Sequence, residues 1–231
     1  MHKISGYAWP PCVALICLMR VTFQEPGCVR TRASVESTVS EEQKVVLDKC
    51  APSKHLYVVQ PEHCHWSSAL RSVVVDYDHY CTWCNNGIGL LNIRYFIQFL
   101  AWTFVSCTNT LIHVFYHIIQ CQMQTRRSCG WLYFNQNIIS PQLAFTIIFI
   151  LFTGSMLYGQ IENMKLGLNS VDRAKGRTKG YKNAFHRFFG SYTWLGCILP
   201  TPNSLVLIEH GKKSIKECSE ALKDVGIKTK Y

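Results

Sequence analysis

Charge is what this sequence has least of. Only 16% of its 231 residues are Asp, Glu, Lys or Arg, against about 25% in an average soluble domain. The shortfall is local. No charged residue falls between Tyr95 and Gln120, and none between Ile138 and Ile161. Such concentration excludes an ordinary soluble core as the explanation and points to membrane segments. The sequence also lacks an internal repeat, and its 12 cysteines show no spaced ladder. They scatter through apolar and polar stretches alike, which argues against a secreted disulfide scaffold. Small buried hydrophobes or free thiols fit better.

Basic residues outnumber acidic ones, 24 to 14, for a net charge of +10. Much of the excess follows residue 162. Lys165, Arg173, Lys175, Arg177, Lys179, Lys182 and Arg187 form one cluster; Lys212, Lys213, Lys216, Lys223, Lys228 and Lys230 form another. Beside a membrane span, such charge suits an anionic membrane face or a phosphate-bearing cofactor better than nucleic acid. A solvated tail without a ligand is the plain alternative.

The chain divides by composition. Residues 1–23 form an apolar stub or anchor, with Tyr7–Phe23 interrupted by Pro10-Pro11 and ended by Arg20. It is shorter than the ~20 residues of a spanning helix, and lacks the small-residue cleavage site of a signal peptide. Residues 24–50 read as a polar linker, with a short helix conceivable over Glu41–Lys49. Residues 51–94 form a small loop-rich module, with a short strand expected at Val73-Val74-Val75 and a turn at Asn85-Asn86-Gly87. The uncharged stretches 95–120 and 138–161 predict two transmembrane helices. The first would be roughly 39 Å long, more than the ~30 Å hydrocarbon core. The loop 121–137, with Arg126, Arg127 and Cys129, joins them into a hairpin, so both outer ends share one side. Because positive charge gathers in the tail 162–231, that side is expected to be cytoplasmic. The expected fold is thus mainly α: two membrane helices preceded by a small cytoplasmic module.

Within that module stands Asp78-His79-Tyr80-Cys81. A free cysteine is mostly protonated near neutrality, and a neighbouring base raises its thiolate fraction. His79 lies two residues before Cys81, so a tight turn can bring its ring to the sulfur. Asp78 can fix the imidazole's tautomer and stabilise its cation. The pattern also contains a C-x-x-C, Cys81 to Cys84. No βαβ pattern surrounds it, so a regulatory disulfide is a better expectation than redox catalysis. His113 and His117, one helical turn apart, are more readily explained by packing than by metal binding.

The stretch DHYCTWCNNGIGLLNIRYF, Asp78 to Phe96, resembles the DHHC-type protein S-acyltransferases. Their signature runs Asp-His-His-Cys-Pro-Trp, then Asn-Cys-Val-Gly, then Asn and Phe. Asp78, His79, Cys81, Trp83, Asn86, Gly89, Asn92 and Phe96 match it. The tyrosine at position 80 is similar to the ankyrin-repeat branch of that family. Gln60-Pro61 to Trp66-Ser67 fits the lead-in loosely. Asn169-Ser170-Val171-Asp172 stands at the family's Thr-Thr-x-Glu motif, and Asn183-Ala184-Phe185 at its Asn-Pro-Phe element.

The resemblance implies a protein S-palmitoyltransferase. Cys81 would take a fatty acyl group from acyl-CoA and pass it to a cysteine of a membrane-associated protein. His79 would be its base and Asp78 the orienter of that base. Arg173, Lys175 and Arg177 would hold the CoA phosphates or, equally, anchor the chain to anionic lipid. The setting implied is a multi-pass protein of the Golgi or endoplasmic reticulum, with its site facing the cytosol.

The departures are selective. Family members fold this module around two zinc ions, but the ligand places fall on Ser53, Leu56, Trp66, Ser67, Leu70, Val73, Tyr80 and Gly87, none a good zinc ligand. No metal is therefore expected. A small hydrophobic core at Leu56, Leu70, Val73 and Tyr80 is expected to replace it, although His63, Cys64, His65 and Cys50 could form a makeshift site. Thr82 replaces the family's proline, which should loosen the turn after Cys81. The spans and ankyrin repeats that precede the module in that branch are missing here, so the sequence reads as a member truncated at its N-terminus. The competing expectation is an inactive or truncated relative acting as a membrane interaction protein.

Overall fold

In the computed structural model, the structure describes residues 9–29, 63–123, 136–178, 180–182, 184–189, 194–203 and 205–224. Several sequence expectations lie outside these residues: the Glu41–Lys49 helix, Cys50, Ser53, Leu56, Gln60-Pro61, Asn183, and the loop carrying Arg126, Arg127 and Cys129. The side chain of His117 also lies outside them.

The elements run α1 (Trp9–Phe23), β1 (Cys28–Val29), β2 (Cys64–Ser67), β3 (Ser72–Val75), β4 (His79–Cys81), β5 (Asn86–Ile88), α2 (Ile93–Met123), α3 (Gln136–Leu166), α4 (Ser170–Ala174), α5 (Ala184–Phe189), α6 (Trp194–Ile198) and α7 (Leu205–Asp224). Pro10 and Pro11 do not interrupt α1. They sit in its first described turn, where a missing N–H breaks no helical hydrogen bond. Ala14, Cys17 and Val21 are buried on one side of α1, while Leu15, Ile16 and Met19 are exposed on another. Trp9 meets Trp102 of α2 edge to face at 4.6 Å, so α1 lies along α2.

Of the two expected spans, α3 is long and apolar enough to cross a membrane over Pro141–Leu166. Phe145, Ile148, Leu151 and Tyr158 are exposed on it, as a lipid-facing helix requires. Among the described residues it alone meets both conditions. Helix α2 matches its 31 residues but carries Gln98, Ser106, Thr108, Asn109, Thr110 and His113, which lower its apolarity. Its hydroxyls are satisfied internally: Ser106 donates to the Trp102 carbonyl at 2.6 Å, Thr108 to Phe104 at 2.8 Å and Thr110 to Ser106 at 3.0 Å.

The module between α1 and α2 is more regular than the loop-rich segment expected. Three strands form an antiparallel sheet in the order β1-β3-β2, and β4 and β5 form a hairpin. Val73, Val74 and Val75 of β3 are fully buried, which explains a strand of three β-branched residues in its centre. Cys28 and Val29 pair with Val74 and Val73, so the polar segment 24–50 begins with a strand that belongs to the module.

Two asparagines tie the hairpin to the helices. Asn86 donates its amide to the carbonyls of Val21, Thr22 and Gln24 at 2.9, 3.2 and 2.9 Å, closing the C-terminus of α1. Asn92 accepts from the Gly89 N–H at 2.9 Å and donates to the Gly87 carbonyl at 2.8 Å, which organises the start of α2. Gly89 must lack a side chain: a Cβ there would stand 2.6 Å from the Pro26 carbonyl oxygen and 2.7 Å from Val74.

The basic stretch after residue 162 is not a free tail. Gln98 of α2 donates to the carbonyls of Gly196, Cys197 and Leu199 at 2.9, 3.0 and 2.9 Å. Trp102 donates to the Ile198 carbonyl at 2.7 Å and Tyr95 to that of Thr201 at 2.9 Å. Helix α7 buries Cys218 and Ser219 and leaves Lys212, Lys213, Lys216 and Lys223 exposed.

Candidate functional site

The β4–β5 hairpin carries the Asp-His-Tyr-Cys residues. His79 pairs with Ile88, Tyr80 with Gly87 and Cys81 with Asn86. The turn between them is closed by the Asn85 N–H on the Thr82 carbonyl at 3.3 Å, with Asn85 at φ +47°. Asparagine tolerates this left-handed region well. Thr82 therefore does not leave the turn open, as the loss of proline had suggested.

Asp78, at 2% exposure, sits at the foot of the hairpin and receives three donors. His79 Nδ1 lies 2.8 Å from Oδ2, Gln160 Nε2 2.8 Å from the same oxygen, and the Ser170 N–H 2.6 Å from Oδ1. Burial alone would raise this carboxyl, but the hydrogen bonds from His79 and Ser170 hold it below the usual carboxylate range. With Nδ1 committed to Asp78, Nε2 is the ring nitrogen left for Cys81. The far side of the ring rests edge-on against Phe96 of α2, 5.0 Å between centroids.

The Cys81 sulfur is almost fully buried and is held as a thiolate. The largest cause is a hydrogen bond from the Cys84 thiol; burial opposes it, and His79 adds a second favourable contact, for a value of about 4. Cys84 is correspondingly pushed up by donating to Cys81 and by burial. Burial works against the His79 cation, but the Asp78 and Cys81 hydrogen bonds outweigh it and raise the imidazole to about 9. Near neutrality the pair is thus imidazolium and thiolate. The structure brings together all three residues expected from sequence, with His79 between Asp78 and Cys81.

Gln160 was not legible in the sequence, and Ser170 was legible only within the Asn169-to-Asp172 match, without its contact to Asp78. Gln160 lies on the apolar helix α3, where an amide carries no motif. Ser170 reaches Asp78 through its backbone, which no side-chain pattern reports. Asn169 makes this possible: its Oδ1 caps α4 by accepting the Asp172 N–H at 2.7 Å. The Asn169-to-Asp172 segment, weak as a sequence match, is therefore structurally engaged at both ends.

Asp172 is fully buried and takes two imidazoles, His63 Nδ1 on Oδ2 and His65 Nε2 on Oδ1, the latter at 2.9 Å. These hydrogen bonds overcome burial and hold its carboxyl well below the usual range. Lys175 Nζ lies 2.9 Å from His65 Nδ1, and Arg177 Nε 3.4 Å from Asp172. Arg173 donates to Asn163 at 3.2 Å. The three cations expected to face CoA phosphates thus gather around α4, each in contact with the protein itself.

The described donors do not fit the family's zinc. Among the described residues no group of three or more His, Cys, Asp or Glu is disposed to hold a metal ion. His63 and His65 face the Asp172 carboxylate. The expected replacement core is present at Val73, which is buried, but Leu70 and Tyr80 are only half-buried. The Tyr80 hydroxyl donates outward to Asn85 at 2.8 Å. What joins β2 to the segment after α3 is instead the His63–Asp172–His65 clasp, spanning 107 and 109 residues of sequence.

Close to Cys81 in sequence, exposed Trp83 lies 6.2 and 6.1 Å from the rings of Phe149 and Phe152 on α3. The turn after Cys81 therefore lies against the apolar surface of α3.

Comparison with known proteins identifies a family for this chain. The family model described as DHHC palmitoyltransferase matches residues 49–177. Palmitoyltransferase ZDHHC15 of Rattus norvegicus is 29% identical over 102 residues, 44% of this chain and 27% of that protein. Palmitoyltransferase ZDHHC3-A of Danio rerio is 24% identical over 207 residues, 80% of this chain and 64% of that protein. For palmitoyltransferase ZDHHC3 of Homo sapiens the figures are 25% over 171 residues, 71% and 55%. The chain thus spans about a quarter of the ZDHHC15 relative and under two thirds of the others. With residues 49–177, more than half of its length, matched by the family model, the chain belongs to the DHHC palmitoyltransferase family.

Proposed function

We propose that this chain is a protein S-palmitoyltransferase that moves a fatty acyl group from acyl-CoA to cysteines of membrane-associated proteins. The observation that carries the reading is the buried imidazolium–thiolate pair, His79 and Cys81, backed by Asp78. The Cys81 thiolate attacks the acyl carbonyl carbon. The carbon–sulfur bond to CoA breaks, and the departing thiolate takes the proton from His79. The product is an acyl-Cys81 thioester and neutral His79. An incoming substrate thiol then gives its proton to His79 and attacks the thioester, which frees Cys81 as the thiolate. Asp78 keeps the ring in the tautomer both steps need and stabilises its cation in between.

The apolar surface beside Trp83, Phe149 and Phe152 suits the acyl chain. Helix α2 crosses the bilayer with α3 in this reading. Its hydroxyls bond to the preceding turn, which hides them from lipid. The basic residues beyond α3 support a cytosolic side for the module in this reading, and the family resemblance suggests a Golgi or endoplasmic reticulum membrane. Arg173, Lys175 and Arg177 offer their remaining charge to CoA phosphates.

The test is autoacylation in detergent with a clickable palmitoyl-CoA analogue. Wild-type protein takes up hydroxylamine-sensitive label and Cys81→Ser takes up none. Equal labelling of both removes the nucleophile assignment. No label on wild type removes the activity and leaves an interaction protein.

A further inference from the structure

The acid that orients His79 is itself held from the membrane helix. Gln160 is only 5% exposed, near the inner end of α3, where an amide is costly unless its polar atoms are used. Its Nε2 lies 2.8 Å from Asp78 Oδ2, the oxygen that also takes His79 Nδ1 at 2.8 Å. The other oxygen is occupied by the Ser170 N–H, and the backbone N–H of Asp78 donates to the Ile88 carbonyl at 2.8 Å. The carboxylate plane is therefore defined by α3 on one side and α4 on the other. Asn163, next on the same helix, donates to Ser170 Oγ at 2.9 Å, so one helix end grips both Asp78 and its second donor.

We infer that Gln160 is a positioning residue for acyl transfer: it fixes the Asp78 carboxylate, and through it the His79 ring, to the end of the membrane helix. The inference rests on the acyl-transfer reading of Cys81 given above. Gln160 touches no reacting atom. It shares Oδ2 with the imidazole, so its amide competes for the same negative charge and tempers the pull of Asp78 on His79. Other groups around the pair are Cys81 at the end of β4 and Cys84 in the hairpin turn, Tyr77 before the hairpin, Asp76, which lines a small cavity with Asp78, Gln160 and Asn169, and Asp172 and Arg173 on α4. None of these donates to Oδ2 among the described residues.

The experiment uses the full chain in detergent, with Gln160→Met to remove the amide at constant length and Gln160→Glu to replace it by a carboxyl of the same shape. Two readouts are taken: palmitoyl-CoA autoacylation kinetics, and the pH profile of Cys81 alkylation by iodoacetamide. Gln160→Met is expected to lower the maximal acylation rate roughly ten-fold, the size of one lost buried hydrogen bond, with KM for palmitoyl-CoA little changed. Its alkylation profile should shift upward on the alkaline side, where His79 loses its proton, by at least half a pH unit. Gln160→Glu should shift it further, because a second carboxylate favours the imidazolium. Wild-type rate and profile in both variants would overturn the inference. Should Gln160→Met not fold, Gln160→Glu decides alone. Failure of wild type to acylate would remove the transfer reading, and the alkylation profiles would still decide whether Gln160 governs the Asp78–His79 pair.

Discussion

At the scale of single residues the proposed chemistry rests on one sulfur with two donors. Cys84 gives its thiol hydrogen to Cys81, and His79 supplies the cation. The thiolate should persist far below the ordinary cysteine value of ~8.5. Alkylation of Cys81 followed against pH, with mass spectrometry of the modified peptide, should show a midpoint near 4. Cys84→Ala should raise that midpoint by a unit or more, about what one hydrogen bond to a charged group contributes, and Cys84→Ser should restore part of it. The same two thiols make reversible oxidation testable: peroxide should block acylation of wild type, and dithiothreitol should restore it. In Cys84→Ser the block should no longer reverse through a disulfide. Asp78→Asn keeps the shape of the side chain but removes its charge. It should lower the acylation rate by at least a hundred-fold, since both the imidazolium and its tautomer lose their support.

At the scale of elements, short strands and helix ends are held by side chains of distant sequence. Asp172 clasps His63 and His65 of the β2 region to α4, and α4 in turn gives the Ser170 N–H to Asp78. Asp172→Asn should cost about 1–3 kcal/mol in thermal or denaturant unfolding and should weaken acylation through Ser170. The pH sign follows from the depressed carboxyl of Asp172. Its stabilisation is fully present above the unfolded value of ~3.9 and is lost as pH falls through the still lower folded value. A falling melting temperature below about pH 4 that flattens in Asp172→Asn is the expected outcome. Asn86 joins α1 to the strand opposite Cys81. Asn86→Ala should loosen α1, seen as faster proteolysis near Gln24 and Glu25, with a loss of about 1–2 kcal/mol.

At the scale of the whole molecule, the Asp78–Cys81 hairpin is locked to α3 through Gln160, and among the described residues no cluster is disposed to hold a metal ion. Chelation with phenanthroline should leave both unfolding temperature and autoacylation unchanged; a large loss of either would indicate a metal this geometry does not accommodate. The apolar, exposed surface of α3 should also make the protein sediment with membranes through alkaline carbonate extraction. Release into the supernatant would contradict a spanning helix.

The sequence by itself determined the local parts. Asp78, His79 and Cys81 fall within four residues, so hairpin geometry brings them together, and two long uncharged stretches specify two long helices. Val73 to Val75 announced their strand for the same local reason. What the sequence left open were contacts between residues 82 to 109 positions apart: Gln160 on Asp78, and Asp172 on His63 and His65. A buried amide or a backbone N–H leaves no periodic or spacing signal, and an apolar helix such as α1 does not state which helix it packs against. Only the tertiary structure decides these, because a buried carboxylate must collect donors from whatever elements converge on it, and the order of the chain does not record that convergence.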